Sequence, residues 1–273
     1  MNNLQNLHTH STFCDGKDTP EEMILAAIDK GFGSIGFSGH SYMSFSKYMT
    51  HPRGITEQYK REVRRLAEKY KGVIDVYCGI EFEMLSDDTL EGFDYLIGSV
   101  HYFLIDGVYV GFDRSADVVR SVIDEYFGGD GMKYAKAYYE SLARLPEYGR
   151  FDILGHFDLI TKHADSVCFF DQESAEYRRA AFGAIDALAG KIPFFEVNTG
   201  AIARGYRKTP YPTADILKEL KAHGFGAVVS SDCHDARMLD CGFADACELL
   251  ADCGFKEKYI LTDKGFKAVP LFD

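Results

Sequence analysis

The sequence predicts an α/β protein in which parallel strands alternate with helices. Along its 273 residues, short apolar runs bounded by glycine and proline alternate with longer amphipathic runs, an order typical of strand–helix repeats. The short runs do not alternate clearly between polar and apolar residues, which indicates strands that are covered on both faces. The length is close to the ~250 residues of a (β/α) barrel. Length alone does not choose between one domain and two.

The first strand and the first helix have clear local signals. Leu4 and Leu7 form an apolar lead-in to His8. Thr19 is then a capping residue, because Pro20 suits the first helical position and a glutamate stands three residues after the threonine. Gly31 is expected to end this helix.

Similar patterns place the remaining elements. The predicted strands cover residues 34–38, 73–80, 95–100, 151–155, 193–198 and 227–231, which makes seven with the lead-in to His8. The predicted helices cover residues 57–70, 115–146 with a break near 128–129, 173–188, 213–223 and 243–253. An Asp-Gly turn predicts a hairpin at 104–109, and residues 259–261 have the composition of a further strand.

Six of the seven predicted strands end in candidate metal ligands. These residues are His8 with His10, His40, Glu81, His101, His156, and Asp232 with His234. In a barrel of parallel strands the carboxyl ends meet on one face, so we expect these side chains to lie together. Asp15, beside a turn at Gly16, is placed to reach the same ions. Mixed imidazole and carboxylate ligands suit zinc, manganese or iron.

The motifs around these residues resemble those of the polymerase-and-histidinol-phosphatase (PHP) family, in the same order and over nearly the whole chain. They are His8-Thr9-His10 with Asp15-Gly16, Gly39-His40, Gly79-Ile80-Glu81, Ser99-Val100-His101, Gly155-His156-Phe157-Asp158 and Ser231-Asp232-Cys233-His234. Within the family, the chain is similar to histidinol-phosphate phosphatases in its length, in Gly-His-Phe-Asp, and in Glu196-Val197-Asn198-Thr199 followed by Arg204 and Tyr211-Pro212. Two residues depart from the pattern: Gly39 stands where many relatives have an acidic residue, and Lys162 where some have arginine.

The resemblance implies one domain spanning residues 1–273, folded as a distorted, TIM-like (β/α)7 barrel with a metal site at the carboxyl ends of its strands. It implies three divalent ions, usually manganese, iron or zinc. His8, His10, Glu81 and Asp232 would hold the first ion. Glu81 would bridge to a second ion held by His101 and His156, and Asp15, His40 and His234 would hold the third.

Such a site predicts hydrolysis of a phosphate ester. Ions about 3.5–4 Å apart share a carboxylate and a hydroxide, and the bridging hydroxide is the expected nucleophile. The carboxylates expected to take part in catalysis are Glu81, Asp232 and Asp15; a metal-bound water, Asp15 or Asp232 would protonate the leaving alkoxide.

Three basic residues in loops beyond the strand ends are the candidates for binding phosphate. They are Arg204, Arg207 and Lys162, since a guanidinium grips phosphate through two bonds and an ammonium acts as a point charge. The alternative for each is a solvated surface residue.

Several other polar residues have two possible roles. His51 and His163 are expected at the surface, with a place in the substrate pocket as the alternative. Glu196 and Asn198 either orient the metal ligands or fill the barrel. The loop Tyr42-Met43-Ser44-Phe45 is a candidate cover for the substrate.

Composition argues against two classes of binding partner, nucleic acids and membranes, and indicates a cellular location. The net charge of -12 argues against a nucleic-acid binder. No apolar run reaches the ~18 residues of a membrane span, and no signal peptide is visible. Seven scattered cysteines suit reduced thiols, so a cytoplasmic location is expected.

The expected activity is that of a metal-dependent phosphomonoesterase. The resemblance implies that its substrate is a small phosphorylated metabolite, L-histidinol phosphate, in histidine biosynthesis. The alternatives are a PHP phosphatase for another phosphometabolite or phosphotyrosine, a nuclease-like phosphodiesterase, and a metal-binding module without catalysis. The sequence leaves the oligomeric state open.

Overall fold

The computed structural model describes residues 3–48 and 50–272. In chain order, its strands are β1 (Gln5–Asn6), β2 (Ser34–Phe37), β3 (Asp75–Glu83), β4 (Tyr95–Ser99), β5 (Tyr102–Ile105), β6 (Val108–Gly111), β7 (Ile153–Leu154), β8 (Phe194–Asn198), β9 (Gly226–Ser230), β10 (Glu257–Thr262) and β11 (Gly265–Pro270). Its α-helices are α1 (Pro20–Asp29), α2 (Thr56–Lys69), α3 (Ala116–Phe127), α4 (Gly131–Ala143), α5 (Ala175–Leu188), α6 (Gly200–Ala203), α7 (Ala214–Ala222) and α8 (Phe243–Asp252).

Within these residues, seven parallel strands form a sheet in the order β1-β2-β3-β4-β7-β8-β9. A parallel bridge between Thr9 and Cys233 connects the two edges of the sheet. The His10 N–H donates to the Cys233 carbonyl across this seam, at 2.9 Å. The sheet is therefore a nearly closed barrel, and the predicted seven-stranded α/β fold is confirmed.

The predicted helix starts and turns are present. Thr19 caps α1, and the Glu22 side chain accepts the Thr19 N–H at 2.8 Å, which completes a capping box. The β5–β6 hairpin turns at Asp106 and Gly107, whose φ angles are 50° and 81°. Positive φ at both central residues is what an Asp-Gly hairpin turn requires.

Large side chains fill the barrel interior near the amino ends of its strands. Tyr95 is fully buried there, in a cluster with Leu7 and Ile97. A Cβ atom on Gly36 would lie 2.4 Å from the Tyr95 hydroxyl, and one on Gly79 would lie 2.3 Å from the same ring. Glycine at these two positions is what makes room for the tyrosine.

The β10–β11 hairpin, of which the sequence predicted only residues 259–261, packs against the same end of the barrel. The Leu261 N–H donates to Gln5 Oε1 at 2.7 Å, and the Gln5 amide donates to the Leu261 carbonyl at 2.9 Å. The Phe194 ring lies 4.9 Å from Tyr259 and 4.3 Å from Phe266. The hairpin closes the barrel at the end opposite the predicted metal site.

Strand β3 extends two residues beyond its predicted end at Glu81. Because side chains two apart on a strand point the same way, Glu81 and Glu83 share a face. None of the helices among the described residues has the length and apolar character needed to cross a membrane.

Candidate metal centre

The structure brings all nine predicted metal ligands to one end of the barrel. They come from six strands: His8, His10 and Asp15 follow β1, His40 follows β2, Glu81 lies in β3, His101 follows β4, His156 follows β7, and Asp232 and His234 follow β9. Asp15 and His234 are partly exposed, whereas the other seven are buried. Residues up to 226 positions apart in the chain thus meet because parallel strands place their carboxyl ends together.

Glu81 stands at the middle of this cluster. Its Oε1 lies 2.9 Å from His156 Nε2 and 3.3 Å from His101 Nε2. The distances from its Oε2 are 2.8 Å to His40 Nδ1, 3.4 Å to His8 Nε2 and 3.6 Å to His10 Nε2. A carboxylate that faces five imidazoles suits a ligand shared between ions.

Two aspartates complete the cluster on either side of His10. Asp15 Oδ1 lies 3.3 Å from His234 Nε2 and 3.5 Å from His40 Nε2. Asp232 Oδ1 lies 3.2 Å from His10 Nε2. Burial opposes ionisation of Asp15, but the surrounding imidazoles, His40 first, hold the pKa of its carboxyl well below the usual range.

The arrangement fits bound cations. Three groups have ligand atoms close enough to share an ion: His10 with Asp15, His40 and His234; His8 with His10 and Asp232; and Glu81 with His101 and His156. Among the described residues, the Nε2 atoms of His8, His10 and His40 and the Oε2 of Glu81 are buried without a hydrogen-bond partner. Buried polar atoms nearly always have hydrogen-bond partners. A buried cluster of imidazole nitrogens and carboxylate oxygens without such partners is therefore suited to binding metal ions.

The grouping differs from the expected ligand sets at two positions. Glu81, expected to bridge the first and second ions, groups only with His101 and His156. His10 is expected at the first ion alone, yet it belongs to two groups. Its Nε2 faces Asp232, and its Nδ1 lies 3.6 Å from Asp15 Oδ1.

Two buried glutamates hold the ligand histidines from behind. Glu196 Oε2 lies 2.8 Å from His8 Nδ1, and Glu196 Oε1 accepts the His156 N–H at 2.7 Å. This contact favours the orienting role for Glu196 over that of a simple core residue. Glu83 contacts His101 in the same way, with its Oε2 3.0 Å from Nδ1. Sequence reasoning missed Glu83, although its spacing of two from Glu81 in an apolar strand was an available signal.

The three basic residues predicted to bind phosphate lie in different surroundings. Arg204 contacts the cluster: Nη2 donates to Asp232 Oδ2 and Nη1 to the Asp232 carbonyl, both at 2.9 Å. Lys162 pairs with Asp113 at 2.8 Å. Arg207 is buried and donates to the Thr161 hydroxyl at 2.5 Å. Only Arg204 contacts a predicted metal ligand, while Arg207 is held in the protein interior.

The expectation that His51 and His163 are surface residues is wrong, and His163 instead lines the cavity described below. His51 is fully buried, with its ring 4.8 Å from that of Tyr59. A Cβ atom on Gly39 would lie 2.7 Å from His51 Nε2, so the imidazole occupies space that a side chain at position 39 would need. His163 is 7% exposed and its Nε2 lies 2.7 Å from the Arg114 carbonyl. Both histidines lie in loops that fold back onto the barrel, which the polar composition of those loops did not indicate.

A cavity of about 820 Å³ lies between the 42–48 loop, the β5–β6 hairpin and the loop after β8. Its walls carry aromatic side chains, among them Phe45, which stacks on Tyr109 at 3.8 Å between ring centroids. Asp113 and Lys162 also line it. Against burial, Lys162 and then His101 lower the pKa of Asp113 to about 2.

Known proteins resemble this chain in sequence and in fold. The PHP domain family matches residues 6–200. A probable histidinol-phosphatase from Deinococcus radiodurans is 30% identical, over 93% of this chain and 95% of its own length. One from Schizosaccharomyces pombe is 25% identical, over 90% and 86%.

A solved structure has the same fold. The crystal structure of histidinol phosphate phosphatase from Lactococcus lactis, complexed with zinc, L-histidinol and phosphate, superimposes with a TM-score of 0.73. The two sequences are 21% identical, and the match covers 97% of this chain and 98% of the other.

Proposed function

The chain belongs to the PHP domain family, and from that membership we propose that it hydrolyses L-histidinol phosphate to L-histidinol and phosphate. The observation that carries the proposal is the cluster of nine histidine, aspartate and glutamate side chains, with unpartnered donor atoms, at the carboxyl end of the barrel. The names of the relatives support the choice of substrate.

We assign the metal ligands as the three groups that meet around Glu81 and His10. Three ions are then held by His8, His10, Asp15, His40, Glu81, His101, His156, Asp232 and His234, and zinc, manganese and iron all suit these donors. Bound there, the ions would supply an activated water and would neutralise charge on the phosphoryl group.

The chain's own residues bind and orient the phosphate. The Arg204 side chain is 33% exposed and, besides its two bonds to Asp232, has further N–H groups for phosphate oxygens. Lys162 supplies a second positive charge at the cavity wall. Arg207 is buried away from solvent, which makes it the weakest of the three candidates.

The leaving alkoxide needs a proton. The neighbouring imidazoles hold the pKa of Asp15 well below its usual range, and Arg204 and His8 do the same for Asp232, in both cases against the effect of burial. Both carboxylates are therefore ionised at neutral pH and suited to binding cations. Of the three expected donors this leaves a metal-bound water, which would protonate the alkoxide.

The aromatic cavity suits the rest of the substrate. An imidazole ring is flat, and offset stacking on aromatic rings stabilises such a ring by about 0.5–1.5 kcal/mol beyond the area it buries. The stacked pair of Phe45 and Tyr109 provides such a wall in the cavity that Lys162 also lines.

A substrate panel with elemental analysis tests the proposal. We expect the purified protein to contain transition metal and to hydrolyse histidinol phosphate with a kcat/KM well above those for phosphotyrosine and for aliphatic phosphomonoesters. Equal rates across the panel would refute the substrate assignment. Digestion of single-stranded DNA would favour a phosphodiesterase instead, and bound metal without turnover would favour a non-catalytic module.

A further inference from the structure

Glu83 and Glu196, at two separate places in the barrel, each accept a histidine backbone N–H and each contact a histidine Nδ1. Glu83 Oε2 accepts the His101 N–H at 2.7 Å and lies 3.0 Å from His101 Nδ1. Glu196 accepts the His156 N–H at 2.7 Å and lies 2.8 Å from His8 Nδ1. Both glutamates are buried, with exposed fractions of 2% and 1%.

We propose that Glu83 and Glu196 are positioning residues that fix His101 and His8 as Nε2 ligands of the metal centre. An ionised carboxylate only accepts hydrogen bonds, so each contacting Nδ1 must carry the proton. With a metal ion bound, the Nε2 atom of each ring would supply its lone pair to the ion; this atom lies 3.3 Å from Glu81 for His101 and 3.4 Å for His8. The inference rests on the metal centre of the proposed function.

The two glutamates differ in how firmly they are held. Glu196 accepts two further hydrogen bonds, from the Ser230 hydroxyl at 2.5 Å and from the Asn198 amide at 2.8 Å. The second oxygen of Glu83 receives only a long contact from the Leu85 N–H, at 3.4 Å. Replacing Glu196 therefore disturbs more donors, and we expect its loss to weaken metal binding more.

His156 provides an internal comparison. Its Nε2 also faces Glu81, at 2.9 Å, but its Nδ1 is buried without a partner among the described residues. No carboxylate among the described residues therefore orients this ring through its Nδ1.

The test measures histidine tautomers and metal affinity rather than turnover. In the Zn²⁺-loaded wild-type protein, long-range 1H–15N NMR should show His8 and His101 protonated on Nδ1 and bound to metal through Nε2. In Glu83→Gln the His101 signals should change while those of His8 stay, and in Glu196→Gln the reverse should hold. Removing such a contact weakens metal binding about 10–100-fold. Mn²⁺ affinity should fall by about 10-fold in Glu83→Gln and by up to about 100-fold in Glu196→Gln.

Two further variants separate positioning from simple stability. Gln5→Met removes a buried side chain with bonds to Ser34 and Leu261 at the opposite end of the barrel. It should lower the melting temperature and leave Mn²⁺ affinity unchanged. Glu83→Asp keeps the negative charge, so it should restore part of the Nδ1 protonation of His101 and part of the Mn²⁺ affinity. If Glu83→Gln fails to fold, the same measurements are made on Glu83→Asp.

The inference is wrong if His101 keeps its tautomer in Glu83→Gln, or if both glutamine variants bind Mn²⁺ as tightly as the wild type. These results leave the proposed function intact. If the wild type binds neither Zn²⁺ nor Mn²⁺, the proposed function fails and the inference fails with it, which distinguishes that outcome from unchanged tautomers in a metal-loaded protein.

Discussion

Replacing Arg204 with alanine removes the one arginine that contacts the predicted metal ligands. Its guanidinium donates to the carboxylate and to the carbonyl of Asp232, both at 2.9 Å, and its Nη1 lies 3.4 Å from His234 Nδ1. Asp232 has a φ of 47°, a left-handed backbone conformation that costs a residue other than glycine about 1–3 kcal/mol. The arginine therefore supports a strained residue and leaves donors for a phosphate.

The contacts of Arg204 determine how much stability and substrate affinity the alanine variant should lose. A hydrogen bond to a charged group contributes about 1.5–3 kcal/mol. Because the Arg204 side chain is 33% exposed, water replaces part of what is lost, and we take the lower value. The two bonds to Asp232 then amount to about 3 kcal/mol of stability. Loss of one charged contact to the substrate phosphate corresponds to about a tenfold rise in KM, with a smaller fall in kcat if the contact is made in the ground state.

The assay combines steady-state kinetics with inhibition by inorganic phosphate and urea unfolding. Both KM and the phosphate inhibition constant should rise in Arg204→Ala, and Arg204→Lys should lie between this variant and the wild type because it keeps the charge but loses the planar fork. Arg64→Ala, which breaks a surface pair with Asp94, is the control and should behave as wild type. Reduced stability with unchanged KM and phosphate inhibition would refute the phosphate contact and leave Arg204 as a support for Asp232 alone.

Three further changes test other parts of the site. Glu81→Ala should abolish activity and lower the metal content found by elemental analysis, because this carboxylate faces five imidazoles; near-normal turnover would contradict its bridging role. Lys162→Met should lower the free energy of unfolding at pH 7 by about 2 kcal/mol, since Lys162 is the main group that holds the pKa of the partly buried Asp113 at about 2, below its unfolded value of ~3.9. A lowered pKa stabilises the fold above the unfolded value, so the difference in urea stability from the wild type should shrink as pH falls from ~4 to 2; a constant difference would argue against the ion pair. Phe45→Ala, which removes the ring stacked on Tyr109, should raise KM for histidinol phosphate but not for phosphoserine; equal changes would argue against stacking.

Much of the fold was predictable because its signals are local. The capping box at Thr19 and the Asp-Gly turn at 106–107 depend on residues within one turn of each other, and both are present in the structure. The β10–β11 hairpin was only partly predicted, because its position depends on contacts of Leu261 with Gln5, 256 residues earlier in the chain. The burial of His51 depends likewise on space beside Gly39, which composition does not indicate.

By itself, the sequence determined which residue types stand at the ends of its strands, and therefore that one face of the barrel would collect histidines and carboxylates. That much follows from the order of short apolar runs and from the convergence of parallel strand ends. Only the tertiary structure decided how these side chains are oriented. Glu83 and Glu196 contact particular imidazole nitrogens, Arg204 bonds to Asp232, and Arg207 lies buried. Orientation depends on hydrogen bonds between residues distant in the chain, and spacing along the sequence carries no information about those distances.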